Sequence, residues 1–268
     1  MQNEPIANEP MSQAPSSNPS TSLRTSFQSL TTRLRSAQRV VALTGAGMSA
    51  ESGIPTFRDP QSGLWVKDDP AQLATVGAFE RDPKLVWDWY EWRREVRRGS
   101  KPNPGHYALA KMAKFFSHFV VVTQNIDGLH LLAGSPDVIE LHGNLQRNKC
   151  SREGIMIERT DAHPTDNGVL SCPRCGAYLR PDVVWFGEAL PRDALARAFQ
   201  EATQCDAFLS IGTSGLVEPA ASLPRFAKRA GAFLIEINPE ETPLSAIADV
   251  VLRGKSGEML PELAKVLQ

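Results

Sequence analysis

The sequence is short of cysteine and of any surplus of one charge. Four cysteines among 268 residues are too few for a disulfide-stapled scaffold, so a reducing, cytoplasmic setting is expected. Lys and Arg total 29 against 30 Asp and Glu, a formal net charge of −1. Without a basic excess, nucleic acid is not an expected partner. No apolar run reaches membrane-spanning length, so no membrane partner is expected either. The opening MQNEPIANEP lacks the basic and apolar regions of a secretory signal and the early arginines of a transit peptide. No internal repeat is visible, and a monomer is compatible with what remains.

Residues 1–22 are rich in Ser, Pro, Asn and Gln. So few apolar side chains cannot offset chain entropy, and a disordered tail is expected. Over 23–268, short apolar runs alternate with helical patterns. The strand candidates are Val40–Leu43, Phe119–Thr123, Val138–Leu141, Val183–Phe186, Ala207–Ile211 and Phe233–Ile237. Helix candidates include Lys84–Arg97, His106–Phe116, Arg192–Gln204 and Pro219–Ala230. This order predicts an α/β fold: a Rossmann-like parallel sheet with helices on both faces. The large domain would comprise 38–59, 106–142 and 181–268. Two inserts, a helical one over 60–105 and a polar, cysteine-bearing one over 143–180, would form a smaller module.

The first strand candidate runs into Gly45-Ala-Gly-Met-Ser-Ala50, a G-x-G-x-x-A spacing. Small residues there let backbone N–H groups approach an anion at a helix start. The same pattern also suits a plain tight turn. A full crossover helix does not follow, because Gly53, Ile54 and Pro55 intervene. Nor does an acidic residue end a second short strand about 20 residues on, where a standard fingerprint binds ribose. Asn238, after Phe233–Ile237, and Gly212-Thr-Ser214, after Ala207–Ile211, are the polar strand ends that could do that work. Two more strand ends carry Gln124-Asn-Ile-Asp-Gly-Leu-His130 and His142-Gly143. A histidine on that rim has the right pKa range for a general base, though many histidines are structural.

Together GAGMSAESGIPTFRD, TQNIDGLH, ELHGN, VVWFGE, GTS and the Asn238 strand end resemble the sirtuins, NAD-dependent protein-lysine deacylases. The motifs run in order over residues 40–256. The resemblance implies that the segment after the glycine turn, with Phe57 and Arg58, is a mobile loop over the nicotinamide end of NAD. Gly45, Ala46, Gly47, Ser49 and Ala50 would line the pyrophosphate path, closed by Gly212, Thr213 and Ser214. Asn238 would meet the adenosine ribose and Ser256 the adenine end. Gln124, Asn125, Ile126 and Asp127 would surround the nicotinamide ribose, with Asn125 and Asp127 counted with the catalytic group. His142 would be the base that activates a ribose hydroxyl. Val183, Trp185, Phe186, Gly187 and Glu188 would flank an acyl-lysine peptide added as a strand; read without the family, VVWFGE is a buried strand.

The resemblance also implies an acyl preference. Tyr90 and Arg93 match the Tyr-x-x-Arg pair of class III members, which remove succinyl, malonyl and glutaryl groups and act more weakly on acetyl. Phenol and guanidinium together suit a carboxylate; the alternative is an aromatic core stripe with a solvated basic edge. Thr56 replaces an aspartate found in many deacetylases, and Ala74 matches a small position that leaves room for a longer acid. The family's structural zinc would use Cys150, Cys172 and Cys175, but Glu153 stands where a fourth cysteine is expected. Glu153, a water or His163 could complete the site, or the metal could be lost. Two other readings share the NAD loops: a protein ADP-ribosyltransferase and a non-catalytic NAD-sensing module.

Overall fold

The computed structural model describes residues 30–55 and 73–268. The expected tail over 1–22, and Thr56, Phe57 and Arg58, lie outside them.

The described strands are β1 (Arg39–Thr44), β2 (His118–Thr123), β3 (Val138–Glu140), β4 (Gly143–Cys150), β5 (Leu179–Val183), β6 (Ala207–Ile211), β7 (Phe233–Ile237) and β8 (Val250–Leu252). Six of them form one parallel sheet in the order β3-β2-β1-β6-β7-β8. This is the doubly wound arrangement, whose order reverses between β1 and β6. Ligands bind beyond the strand ends at such a reversal.

The apolar runs form strands because both sheet faces are covered. Val40 and Ala42 of β1, with Phe119 and Val121 of β2, pack into one core. That core is closed by α1 (residues 30–36), α5 (Pro104–Met112) and α9 (Ser256–Val266). Val41, Leu43, Val120 and Val122 face the opposite core, closed by α7 (Arg192–Gln204) and α8 (Leu223–Arg229). Each fully buried Val, Leu or Phe contributes about 1.5–3 kcal/mol. Since both faces are apolar, sidedness alone does not set the register. The strand ends add a constraint: Thr44 sits opposite Thr123, and their hydroxyls bond at 2.8 Å. A one-residue slip would part these hydroxyls and lose their bond, at about 0.5–1.5 kcal/mol.

A smaller module leans on this sheet. It contains α3 (Val76–Arg81), α4 (Pro83–Gly99) and the antiparallel pair β4–β5. Capping explains the helix starts. Thr75 Oγ1 accepts from Ala78 N–H at 3.1 Å, and Asp82 Oδ1 accepts from Leu85 N–H at 2.9 Å, with Pro83 in the first turn of α4. The aromatic face of α4 divides between two cores. Trp89 and Tyr90 pack with Val183 and Trp185, whereas Trp87 packs with Cys150 and Cys172.

The expected strand Val183–Phe186 is corrected. It does not join the parallel sheet. Strand β5 ends at Val183, and the chain then runs past Ala74, whose carbonyl accepts from Phe186 N–H at 2.9 Å. Val183 and Trp185 are buried, but in the module core. The expected helix at 219–230 splits into a 3-10 turn, Ala220–Ser222, and α8, where Pro224 has no N–H to donate. The helix expected to reach Phe116 ends at Met112 and continues as a 3-10 turn. Strands β4 and β8, and helices α1 and α9, had no sequence expectation. Among the described residues, no helix is long and apolar enough to cross a membrane.

Candidate active site

The strand ends flanking the β1–β6 reversal meet through their backbones. Gly45 N–H bonds to the Ile211 carbonyl at 3.0 Å, and Gly47 N–H to the Gly212 carbonyl at 2.9 Å. The approach is possible because these residues are glycine. A Cβ on Gly212, whose φ is +56°, would lie 2.5 Å from Met48 N, and one on Gly47 would lie 2.9 Å from Gly212 Cα. A single helical turn, α2 (Gly47–Ala50), follows; Ser49 is buried within it, while Ala46 and Ala50 are exposed. The turn is tied to α9. Glu51 Oε2 accepts from Gly257 N–H at 2.7 Å, and the Ser256 hydroxyl lies 3.4 Å from the Gly47 carbonyl.

The ends of β2, β6 and β7 join the same cleft. Thr213 links them: its Oγ1 accepts from Gln124 Nε2 at 3.0 Å and its carbonyl from Asn238 Nδ2 at 2.9 Å. Ser214 follows, half-buried. Asn125 Nδ2 donates to the Gly45 carbonyl and to Ser49 Oγ, both at 3.0 Å. Asp127 is buried, and its carboxylate accepts from Ser49 Oγ and from Leu129 N–H, each at 2.8 Å. Arg97 donates to the Asp127 carbonyl. Burial raises the Asp127 pKa, against the pull of those two bonds and of Arg97 and Arg93. Ile126 packs on the module core, and its carbonyl accepts from Leu145 N–H at 2.8 Å.

His142 lies beyond β3, half-buried. Its Nδ1 is 2.8 Å from the Gln124 carbonyl. Burial lowers its pKa, with that bond opposing.

On the module side, Trp185 Nε1–H donates to the Tyr90 hydroxyl oxygen at 2.8 Å. Burial pushes the Tyr90 phenol up to about 12, although Arg93, Trp185 and Arg180 pull the other way. The Arg93 guanidinium lies 5.7 Å from the Tyr90 ring centre and 4.9 Å from that of Trp89. Burial lowers the Arg93 pKa; Tyr90 and Asp127 hold it up. Ala74 is buried behind Phe186, which is exposed. Gly187 turns the chain with φ +87°. Glu188 is engaged internally: its carboxylate takes Arg180 in a two-pronged pair at 2.6 and 2.7 Å and accepts Trp185 N–H at 2.8 Å. Burial would raise Glu188, but the Arg180 bond, the Trp185 N–H and the Arg180 charge outweigh it.

Cys150, Cys172 and Cys175 gather in the module, their sulfur atoms within 4.8 Å of one another. Backbone N–H groups point at the Cys172 and Cys150 sulfurs, which suits thiolates bound to a metal. A structural zinc fits this donor set.

Several residues of the site carry no sequence signal of their own. Arg180 is buried with its guanidinium 3.3 Å from the Trp185 ring centre. Arg97 and Thr44 brace the rim. His106 is buried behind it, its ring tilted against that of His130, the last residue of the Gln124–His130 cluster, with 4.8 Å between centres. Their partners, near along the chain for Arg180 and distant for Arg97 and Thr44, give them a role.

Residues 45–219 match the Sir2 family. The "NAD-dependent protein deacylase 2" of Pyrobaculum aerophilum is 49% identical over 232 residues, covering 87% of this chain and 92% of the relative. A solved complex of a SIR2 homologue with NAD superposes with a TM-score of 0.84 at 46% identity, covering 90% of this chain and 93% of the other. A Sir2 complex with a p53 peptide and NAD+ superposes with a TM-score of 0.77 at 33% identity, covering 89% and 96%. The chain belongs to the Sir2 family.

Proposed function

We propose that this chain is an NAD-dependent protein-lysine deacylase whose acyl site prefers the acidic succinyl, malonyl and glutaryl groups to acetyl. The deacylase reading rests on relatives with that activity and on the NAD-bound homologue. The preference rests on one observation, the Tyr90–Arg93 pair. The buried phenol stays un-ionised, its oxygen already accepts Trp185 N–H, and its own proton is available beside a guanidinium. An acyl carboxylate would accept from both.

When bound, NAD supplies an electrophilic ribose carbon from which nicotinamide leaves. The chain's residues bind, orient and move protons. Gly45, Ala46, Gly47, Ser49 and Ala50 line the pyrophosphate path, and Gly212, Thr213 and Ser214 close the opposite wall. Asn238 and Ser256 serve the adenosine end. Asn125 and Asp127, cross-linked through Ser49, hold the nicotinamide side, with Gln124 and Ile126 beside them. His142 takes the proton of a ribose hydroxyl at Nε2. The peptide lies along Val183–Gly187, with Glu188 holding that turn from behind through Arg180. With one water consumed, the products would be nicotinamide, free lysine and O-acyl-ADP-ribose.

The test is Arg93→Met, assayed with NAD on succinylated and acetylated peptides. Succinyl turnover should fall by about 10- to 100-fold, the loss of a charge-assisted bond of roughly 1.5–3 kcal/mol, while acetyl turnover is retained. Equal loss on both peptides removes the preference.

A further inference from the structure

The module holds three thiols that deacylation does not use. Cys172 and Cys175 belong to one tight turn, in which the N–H groups of Arg174 and Cys175 point at the Cys172 sulfur. Cys150 begins a matching turn: Glu153 N–H points at the Cys150 sulfur, 3.4 Å away. Glu153 therefore occupies in the first turn the place that Cys175 occupies in the second.

Each turn also reaches into the other. Arg152 Nη1, from the first, donates to the Cys175 carbonyl at 3.2 Å. Arg174 Nε, from the second, lies 3.5 Å from Glu153 Oε2. The Glu153 carboxylate and the Arg174 guanidinium thus meet between the two turns. Two guanidinium groups stand where several anionic ligands would need offsetting. Neither the Glu153 carboxylate, now beside Arg174, nor His163 lies within the thiol cluster, but of the two only Glu153 has its backbone on a cluster sulfur, whereas the His163 backbone pairs with Ser171.

We propose that Glu153 is the fourth ligand of a structural zinc, which three thiolates and one carboxylate enclose as a tetrahedron. A carboxylate oxygen is an ordinary zinc donor, reaching the metal at roughly 2.0–2.2 Å. The turn that presents Glu153 keeps the backbone bond to sulfur of a two-cysteine turn, so only the donor atom changes. The proposal is independent of the acyl preference.

Chelator competition for zinc and the absorption spectrum of the cobalt(II)-substituted protein test this on the full chain. The wild type should hold one zinc. Glu153→Gln should weaken it by about tenfold or more and alter the cobalt bands. Glu153→Cys should bind at least as tightly and strengthen the thiolate-to-cobalt absorption. His163→Ala should match the wild type in both. The proposal is overturned if Glu153→Gln leaves affinity and spectrum unchanged, which would make water the fourth ligand. It also fails if His163→Ala is the variant that weakens binding, or if the folded wild type takes up no metal.

Discussion

His142 Nδ1 and the main-chain carbonyl of Gln124 stand 2.8 Å apart, and this one contact fixes the imidazole tautomer. A carbonyl only accepts, so the hydrogen sits on Nδ1 and the lone pair on Nε2, which is the form a general base needs. Burial holds the His142 pKa below the ordinary 6.5. The neutral base therefore persists as pH falls through that value. The acid limb of kcat/KM should lie below pH 6.5, and His142→Asn should lower kcat by about 100-fold or more while NAD binding by calorimetry persists. An unaltered kcat in that variant would remove His142 from the chemistry.

Trp185→Phe keeps the ring but deletes the N–H that holds the Tyr90 oxygen. Losing one neutral hydrogen bond costs about 0.5–1.5 kcal/mol. The ratio of succinyl to acetyl kcat/KM should therefore drop roughly 2- to 12-fold, with KM for NAD unchanged. A larger effect on NAD than on the acyl ratio would contradict this.

Gly212→Ala should be costly. Its φ of +56° is unfavourable for alanine, and the added carbon would stand 2.5 Å from Met48 N, which is backbone and cannot swing aside. A destabilisation of about 1–3 kcal/mol is expected, read as a lower thermal midpoint, together with weaker NAD binding. Gly187→Ala is the control, because nothing lies within 4 Å of its added carbon and only the positive φ is strained.

The buried histidines predict acid lability. Burial lowers His106 from 6.5 to about 4, with Arg97 adding to the effect, and lowers His130 from 6.5 to about 3, with His106 adding. Unfolded, both would take protons near pH 6.5; folded, they refuse them until far lower. The unfolded state therefore binds more protons in this window. Stability should be full above pH 6.5 and decline as pH falls toward 4 and then 3. A tenfold difference in proton affinity between the folded and unfolded states is worth about 1.4 kcal/mol. Urea midpoints between pH 7.5 and 4.5 should fall steeply, and less steeply in His130→Phe. Equal slopes would show that His130 does not drive the loss.

The sheet was readable where hydrophobicity is continuous. Val40–Leu43, Ala207–Ile211 and Phe233–Ile237 each fall within a residue of β1, β6 and β7. Legibility failed at Val183–Phe186, because burial in the module and burial in the sheet leave the same apolar run. It failed for α9, where Pro261 interrupts the helical pattern, and for β8, which is three half-buried residues long. In the site, the polar strand ends were visible as clusters, since glycine, asparagine and aspartate after an apolar run are a local signal. Arg180 was not. Its partners are a carboxylate eight residues on and an indole ring five residues on, and neither spacing is a local signal of contact.

Where Gly47 and Gly212 touch, the bottom of the cleft is made of peptide groups rather than side chains. Peptide groups do not titrate and offer no chemistry that a substitution can exchange. The floor therefore tolerates no side chain at Gly47 or Gly212, and its chemistry stays that of the main chain. Change in what the enzyme accepts must come from the surrounding walls, where tyrosine, arginine and tryptophan can be traded one at a time.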